Sequence, residues 1–270
     1  MPAFPQSVYR ILQLTTDINC PPKELIEIIG HDPVLTLKIL KILNSPYFGL
    51  SRTILSINQA VVFVGINTIK NIALTIAPVG VLTNEEKDDE YLTNLLMHSL
   101  GTAIVAKRLS RRLGASELES ADYFVAGLLH DFGKVVLARY MPKEYAKAIK
   151  RASKKNIPFL KAEKKLLGTD HTRVGAMLAK KWHLPNELVA SIQNHHAPRG
   201  KGSPSPMGDC VFAANQIVKK LRIGKSGNPV VEQLPPPIAS RFNMDLGELI
   251  NSLGDFSNEW KKTWFILHQG

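Results

Sequence analysis

Apolar residues at spacings of three and four, cut at short intervals by proline and glycine, constrain this chain more than any other feature. Asp32-Pro33 opens one such run, Val34, Leu35, Leu37, Ile39, Leu40, Ile42 and Leu43 continue it, and Asn44-Ser45-Pro46 stops it. Proline fits a first helical turn, and a side-chain oxygen before it can cap the free amides. The spacing predicts a helix that is apolar nearly all round and therefore central to its lobe. Val8, Ile11, Leu12 and Leu14 form an earlier run. Leu25, Ile26, Ile28 and Ile29 form another, behind Asn19-Cys20-Pro21-Pro22 with Asn19 as the cap. Ile54, Ile57, Ala60, Val61 and Val64 end at Gly65, and Ile66 to Val79 is broken at Pro78. No segment alternates Val, Ile or Thr between turn residues, so the expected fold is all-α, a multi-helix bundle with an N-terminal helical lobe over 5–83.

The polar stretch Asn84 to Glu90 is the expected boundary to a second lobe over 84–222. Tyr91 to Leu113 reads as a long helix with Leu95, His98, Thr102 and Val105 on one face. Ser116 and Glu119 have capping-box spacing ahead of the helix that carries His130 and Asp131 near its end. Asp170 is placed to cap a helix from His171 to Trp182, and Leu184-Pro185 starts another that ends at His195-His196. Ala197 to Gly208 is a loop, Val211 to Leu221 a helix, and Gly224 to Pro237 irregular. The remainder, 223–270, is a proline-containing connection and an expected amphipathic helix from Leu246 to Leu267.

The chemistry concentrates at His130-Asp131. Adjacent histidine and aspartate can ligate one ion: imidazole suits iron, zinc, nickel and copper, and a carboxylate suits harder cations or bridges two. Apolar Val125 to Leu129 and Val135 to Leu137 flank the pair, so it is expected to be buried, and a buried carboxylate needs a partner. For the dipeptide alone, a core hydrogen bond is the plainer reading. The chain has eight histidines. With His130-Asp131, His98, His171 and His195-His196 come from four predicted helices, which suits a ligand site inside a bundle. His31 reads as a turn residue, His183 as surface or packing, and His268 as incidental. Cys20 and Cys210 are isolated, which argues against a thiolate zinc site and suits a reducing cytoplasm.

The order His98, His130-Asp131, His171, His195-His196 resembles the HD superfamily of metal-dependent phosphohydrolases. The surrounding text resembles, more specifically, its HDOD branch, the HD-related output domain of bacterial signalling proteins. The matching phrases are Phe4-Pro5, Asp32-Pro33 with Leu35 to Lys38, Leu43 to Phe48, Gly127 to Lys134, Gly168 to Ala176 and Trp182 to Pro185, within about residues 4 to 222. The resemblance implies an HD-domain-like helical bundle and a first metal at His98, His130 and Asp131, with a distant aspartate completing it. His171, His195 and His196 resemble the extra ligands of two-metal members such as HD-GYP phosphodiesterases. There Asp131 would bridge the ions and polarise a water, and Lys134 would face the phosphate.

Two departures count against hydrolysis. Asn215, in Ala213-Ala214-Asn215-Gln216, stands at the position of the last metal aspartate. Asp209 is six residues away, about 240° round a helix, and cannot take its place from the same face. No Gly-Tyr-Pro follows His196; the loop reads Ala197-Pro198-Arg199-Gly200-Lys201-Gly202. The resemblance therefore implies a signalling output or scaffold module without turnover, whose His/Asp cluster is either structural or binds a divalent ion (iron, manganese, nickel or zinc). The competing expectation is a metal-dependent phosphohydrolase acting on a nucleotide or cyclic dinucleotide, with Asp131 and Lys134 as its catalytic pair.

Net charge is +11, which allows an anionic partner. Lys143, Lys147, Lys150, Arg151, Lys154 and Lys155 make a basic stripe that Lys161, Lys164 and Lys165 extend; a solvated helix face is its plainer reading. No helix-turn-helix, zinc finger or aromatic platform supports nucleic-acid recognition. No uncharged apolar run of about 18 residues predicts a membrane span, and the N-terminus lacks a secretion signal. With no receiver, kinase or cyclase segment, input is expected through a signalling protein partner or a small anionic or nucleotide ligand.

Overall fold

The computed structural model describes residues 10–11, 21–44, 53–66, 68–69, 72–73, 90–181, 184–197 and 205–254. Among these there is no strand, and the all-α expectation holds. The chain divides into two compact units, one within Met1–Glu86 and one spanning Lys87–Gly254.

In the first unit, α1 (Pro22–Gly30), α2 (Pro33–Leu43) and α3 (Ile57–Val64) pack on one another. Asp32 caps α2 by accepting from the Leu35 amide at 2.9 Å. Asn44 ends it and pairs both ways with the Ile54 backbone, at 2.6 and 2.7 Å. Pro21, with no side-chain hydrogen bond, occupies the cap position of α1; the expected cap Asn19 lies outside the described residues. Leu35, Ile39, Ile42 and Leu43 of α2 are buried while Leu37 is 54% exposed, so α2 has one apolar face and an outer side. His31 is exposed and bonds through Nδ1 to the Glu27 carbonyl, the turn role expected of it.

The second unit is built on α4 (Glu90–Arg112), whose residues His98 to Lys107 are all buried. Against it lie α5 (Glu117–Leu129) and α11 (Pro206–Lys220). Ser116 and Glu119 close the expected capping box on α5. After α6 (Phe132–Tyr140) come α7 (Pro142–Lys155) and α8 (Phe159–Leu167), which pack together through Tyr145, Ala148, Ala152, Phe159 and Ala162. The lysines of α7 and α8 face solvent. Next, α9 (His171–Lys181) is capped by Asp170, which accepts from the Arg173 amide and the Thr172 hydroxyl, and it packs on α6 and on α10 (Asn186–Asn194). The chain closes with α12 (Pro236–Phe242) and α13 (Leu246–Ser252). The C-terminal helix was expected to reach Leu267, but it stops at Ser252. Gly254 follows at φ +65°, the left-handed backbone that commonly ends helices. No helix of the described residues is long and apolar enough to cross a membrane.

Candidate metal centre

His130 and Asp131 sit where α5 hands over to α6, so neither belongs to an uninterrupted helical ladder. Two glycines set how closely the neighbouring helices approach them. A Cβ on Gly127 would stand 2.6 Å from the Ala103 Cα of α4, and one on Gly133 would strike the His171 carbonyl at the start of α9. Glycine is the residue that permits such backbone approach. The first contact draws His98 and His130 together, with ring centroids 5.4 Å apart. The second brings Asp131 to His171.

The five predicted histidine donors converge on the carboxylate of the sixth, Asp131. Its Oδ2 lies 3.3 Å from His130 Nε2 and 3.8 Å from His98 Nε2. Its Oδ1 lies 3.4 Å from both His171 Nε2 and His195 Nε2. His171 Nε2 is 3.2 Å from His195 Nε2 and 3.0 Å from His196 Nε2. The donors form two sets sharing Asp131: His98 and His130 on one side, His171, His195 and His196 on the other. All are buried except His196, which is partly exposed.

The rings are oriented from behind. His130 Nδ1 donates to the Gly127 carbonyl at 2.7 Å and His195 Nδ1 to the Ile192 carbonyl at 2.8 Å. A carbonyl can only accept, so Nδ1 of each ring carries a proton, and Nε2 is the nitrogen turned toward Asp131. His171 Nδ1 shares a 2.5 Å hydrogen bond with Glu163 Oε2 from α8, the carboxylate–histidine arrangement that steadies metal ligands. Phe159 stacks on the His171 ring. Burial holds His98, His171 and His196 well below the usual histidine range and lowers His195 too. Burial works to raise Asp131, but His130 and Lys134 outweigh it and keep the carboxyl well below its ordinary value. Burial pushes Glu163 up to about 8.

Lys134 is buried, and its Nζ donates to Asp131 Oδ2 at 2.6 Å and to the Ser226 carbonyl at 2.9 Å, with the Phe159 ring centroid 5.6 Å away. Sequence reasoning missed both Glu163 and Ser226. Glu163 shares the inner face of α8 with Phe159 and Ala162, and an acid on the apolar face of a basic helix was the available signal. Ser226 contributes only backbone, which leaves no side-chain signature. Asp209 is buried and accepts from Arg241 Nε at 2.6 Å. Asn215 is buried on α11, its Oδ1 without a hydrogen-bond partner. His183 and His268 lie outside the described residues.

The cluster fits a divalent ion. Asp131 Oδ1 is buried without a hydrogen-bond partner while it faces His171 Nε2 and His195 Nε2 at 3.4 Å, and an unpaired buried carboxylate oxygen calls for a cation beside it. Donors bound at about 2.1 Å to a tetrahedral ion stand about 3.4 Å apart, close to the spacing around Asp131 Oδ1.

A family model, the HDOD domain, matches residues 1–198. The chain is similar to a solved HDOD domain protein of unknown function from Geobacter sulfurreducens, with 26% identity, a TM-score of 0.76, and coverage of 99% of this chain and 92% of that one. It shares its fold with a candidate phosphohydrolase from Shewanella amazonensis SB2B, at 24% identity and a TM-score of 0.76, covering 99% and 95%. It is 28% identical over 245 residues to an uncharacterized protein of Treponema pallidum (strain Nichols), covering 89% of this chain but 46% of that protein.

Proposed function

The chain belongs to the HDOD domain family, and from that premise we propose that it is a bacterial signal-transduction output or scaffold module whose buried His/Asp cluster holds a divalent ion without turnover. The observation that carries this reading is enclosure. Asp131, His130, His171 and His195 are at most 1% exposed, and the Lys134 ammonium is held by Asp131 and the Ser226 carbonyl inside the protein. Hydrolysis needs a phosphorus atom and a water beside the ion. The ion, drawn from iron, manganese, nickel or zinc by the imidazole-rich donor set, instead ties α5, α6, α9 and α10 together. In this reading the module works in the cytoplasm, where its isolated cysteines, of which Cys210 is buried, stay reduced. Its signal passes through a protein partner.

A metal-dependent phosphohydrolase acting on a nucleotide or cyclic dinucleotide is the second reading, favoured by the partial exposure of His196. The test is a panel of phosphodiesters and phosphomonoesters offered to metal-loaded protein. No release of product above buffer is the expected result. Turnover that vanishes in Asp131→Ala would overturn the proposal.

A further inference from the structure

Asp131 is the one carboxylate common to both donor sets, and its two oxygens have unequal surroundings. Oδ2 already has a cation: Lys134 Nζ at 2.6 Å, on the same oxygen that faces His130 and His98. Oδ1 has no hydrogen-bond partner, yet it faces His171 and His195 at 3.4 Å each, with His196 beyond. An ion on the Oδ2 side would meet three donors and a neighbouring ammonium; an ion on the Oδ1 side would meet four donors. The ammonium is no passing surface charge. It is 1% exposed and fixed by the Ser226 carbonyl, so it cannot swing to solvent to make room.

We propose that the Lys134 ammonium stands in for a second metal ion, so that the cluster holds one divalent ion, between Asp131 Oδ1, His171, His195 and His196. This rests on the reading of the cluster as a metal site and adds which half of it is filled. Like charges crowd in a low-dielectric interior, where repulsion is screened far less than in water. His98 and His130 then only line the Oδ2 side. The strap carrying Ser226, beyond the segment matched by the family model, becomes part of what sets the stoichiometry.

The experiment is elemental analysis of the full chain, stripped with a chelator, reloaded with excess Zn2+ and desalted. Far-UV circular dichroism checks that each variant is folded. Wild-type protein is expected to carry one zinc per chain. H98Q keeps it, whereas H196Q loses it. K134M, which frees Oδ2, rises toward two. Two ions in the wild-type protein overturn the inference, as does an ion that survives H196Q but not H98Q. A folded K134M that stays at one ion overturns the role given to Lys134. No zinc at all sinks the metal reading itself, while turnover of a phosphodiester by one-zinc protein sinks only the non-catalytic reading.

Discussion

Glu163 is the residue on which the orientation of His171 depends. Its carboxyl group holds Nδ1 from behind at 2.5 Å, and such supporting partners are typically worth about 10- to 100-fold in metal affinity. Glu163→Gln is therefore expected to weaken zinc binding by about 10- to 100-fold with helix content unchanged, measured by competition against a chromogenic chelator. Equal affinity would remove Glu163 from the site. The meeting of His98, His130, Asp131, His171, His195 and His196 in one cluster was legible because their order along the chain resembles a known pattern. Their supports were not. A second carboxylate becomes visible only once α8 is known to cross behind α9, and the Ser226 carbonyl carries no side-chain identity at all.

At the scale of elements, helix starts were legible at the side-chain caps Asp32, Ser116 and Asp170, but not at Ser205, whose hydroxyl accepts from the Gly208 amide and starts α11 at Pro206 rather than at the expected Val211. The stop of α13 at Ser252 was not read, because the apolar spacing beyond it continues past Gly254. Close approach was equally hidden. Gly133 leaves no room for a methyl group against the first turn of α9, so Gly133→Ala is expected to cost about 3 kcal/mol, the upper range for overpacking, and to reduce zinc content. Urea denaturation measures the first effect, and an unchanged midpoint would contradict it. On α11, Lys219 donates to the Val230 carbonyl, and burial brings its ammonium down to about 8 from 10.5. Between those values the unfolded chain holds more protons than the folded one, so this group favours folding more as pH rises from 8 to 10.5. Lys219→Met is expected to flatten that part of the stability profile, read from urea midpoints at pH 8 and pH 10.

Over the whole molecule, the second unit draws its donors from α4, the α5–α6 junction, α9 and the end of α10, and the chain between His98 and His196 is closed on one carboxylate. An ion that binds only this folded arrangement stabilises it by mass action, about 2.7 kcal/mol at a hundredfold excess over its dissociation constant. Composition and spacing made the helical class legible, and the order of histidines suggested the cluster. The enclosure that favours holding an ion over turning over substrate came only from packing.

The most direct measurement is urea unfolding of one preparation with chelator and again with saturating Zn2+, followed by circular dichroism. A buried metal centre predicts a midpoint that climbs with free zinc in the wild-type protein and does not move in folded Asp131→Ala. Superimposable wild-type curves with and without zinc would contradict it.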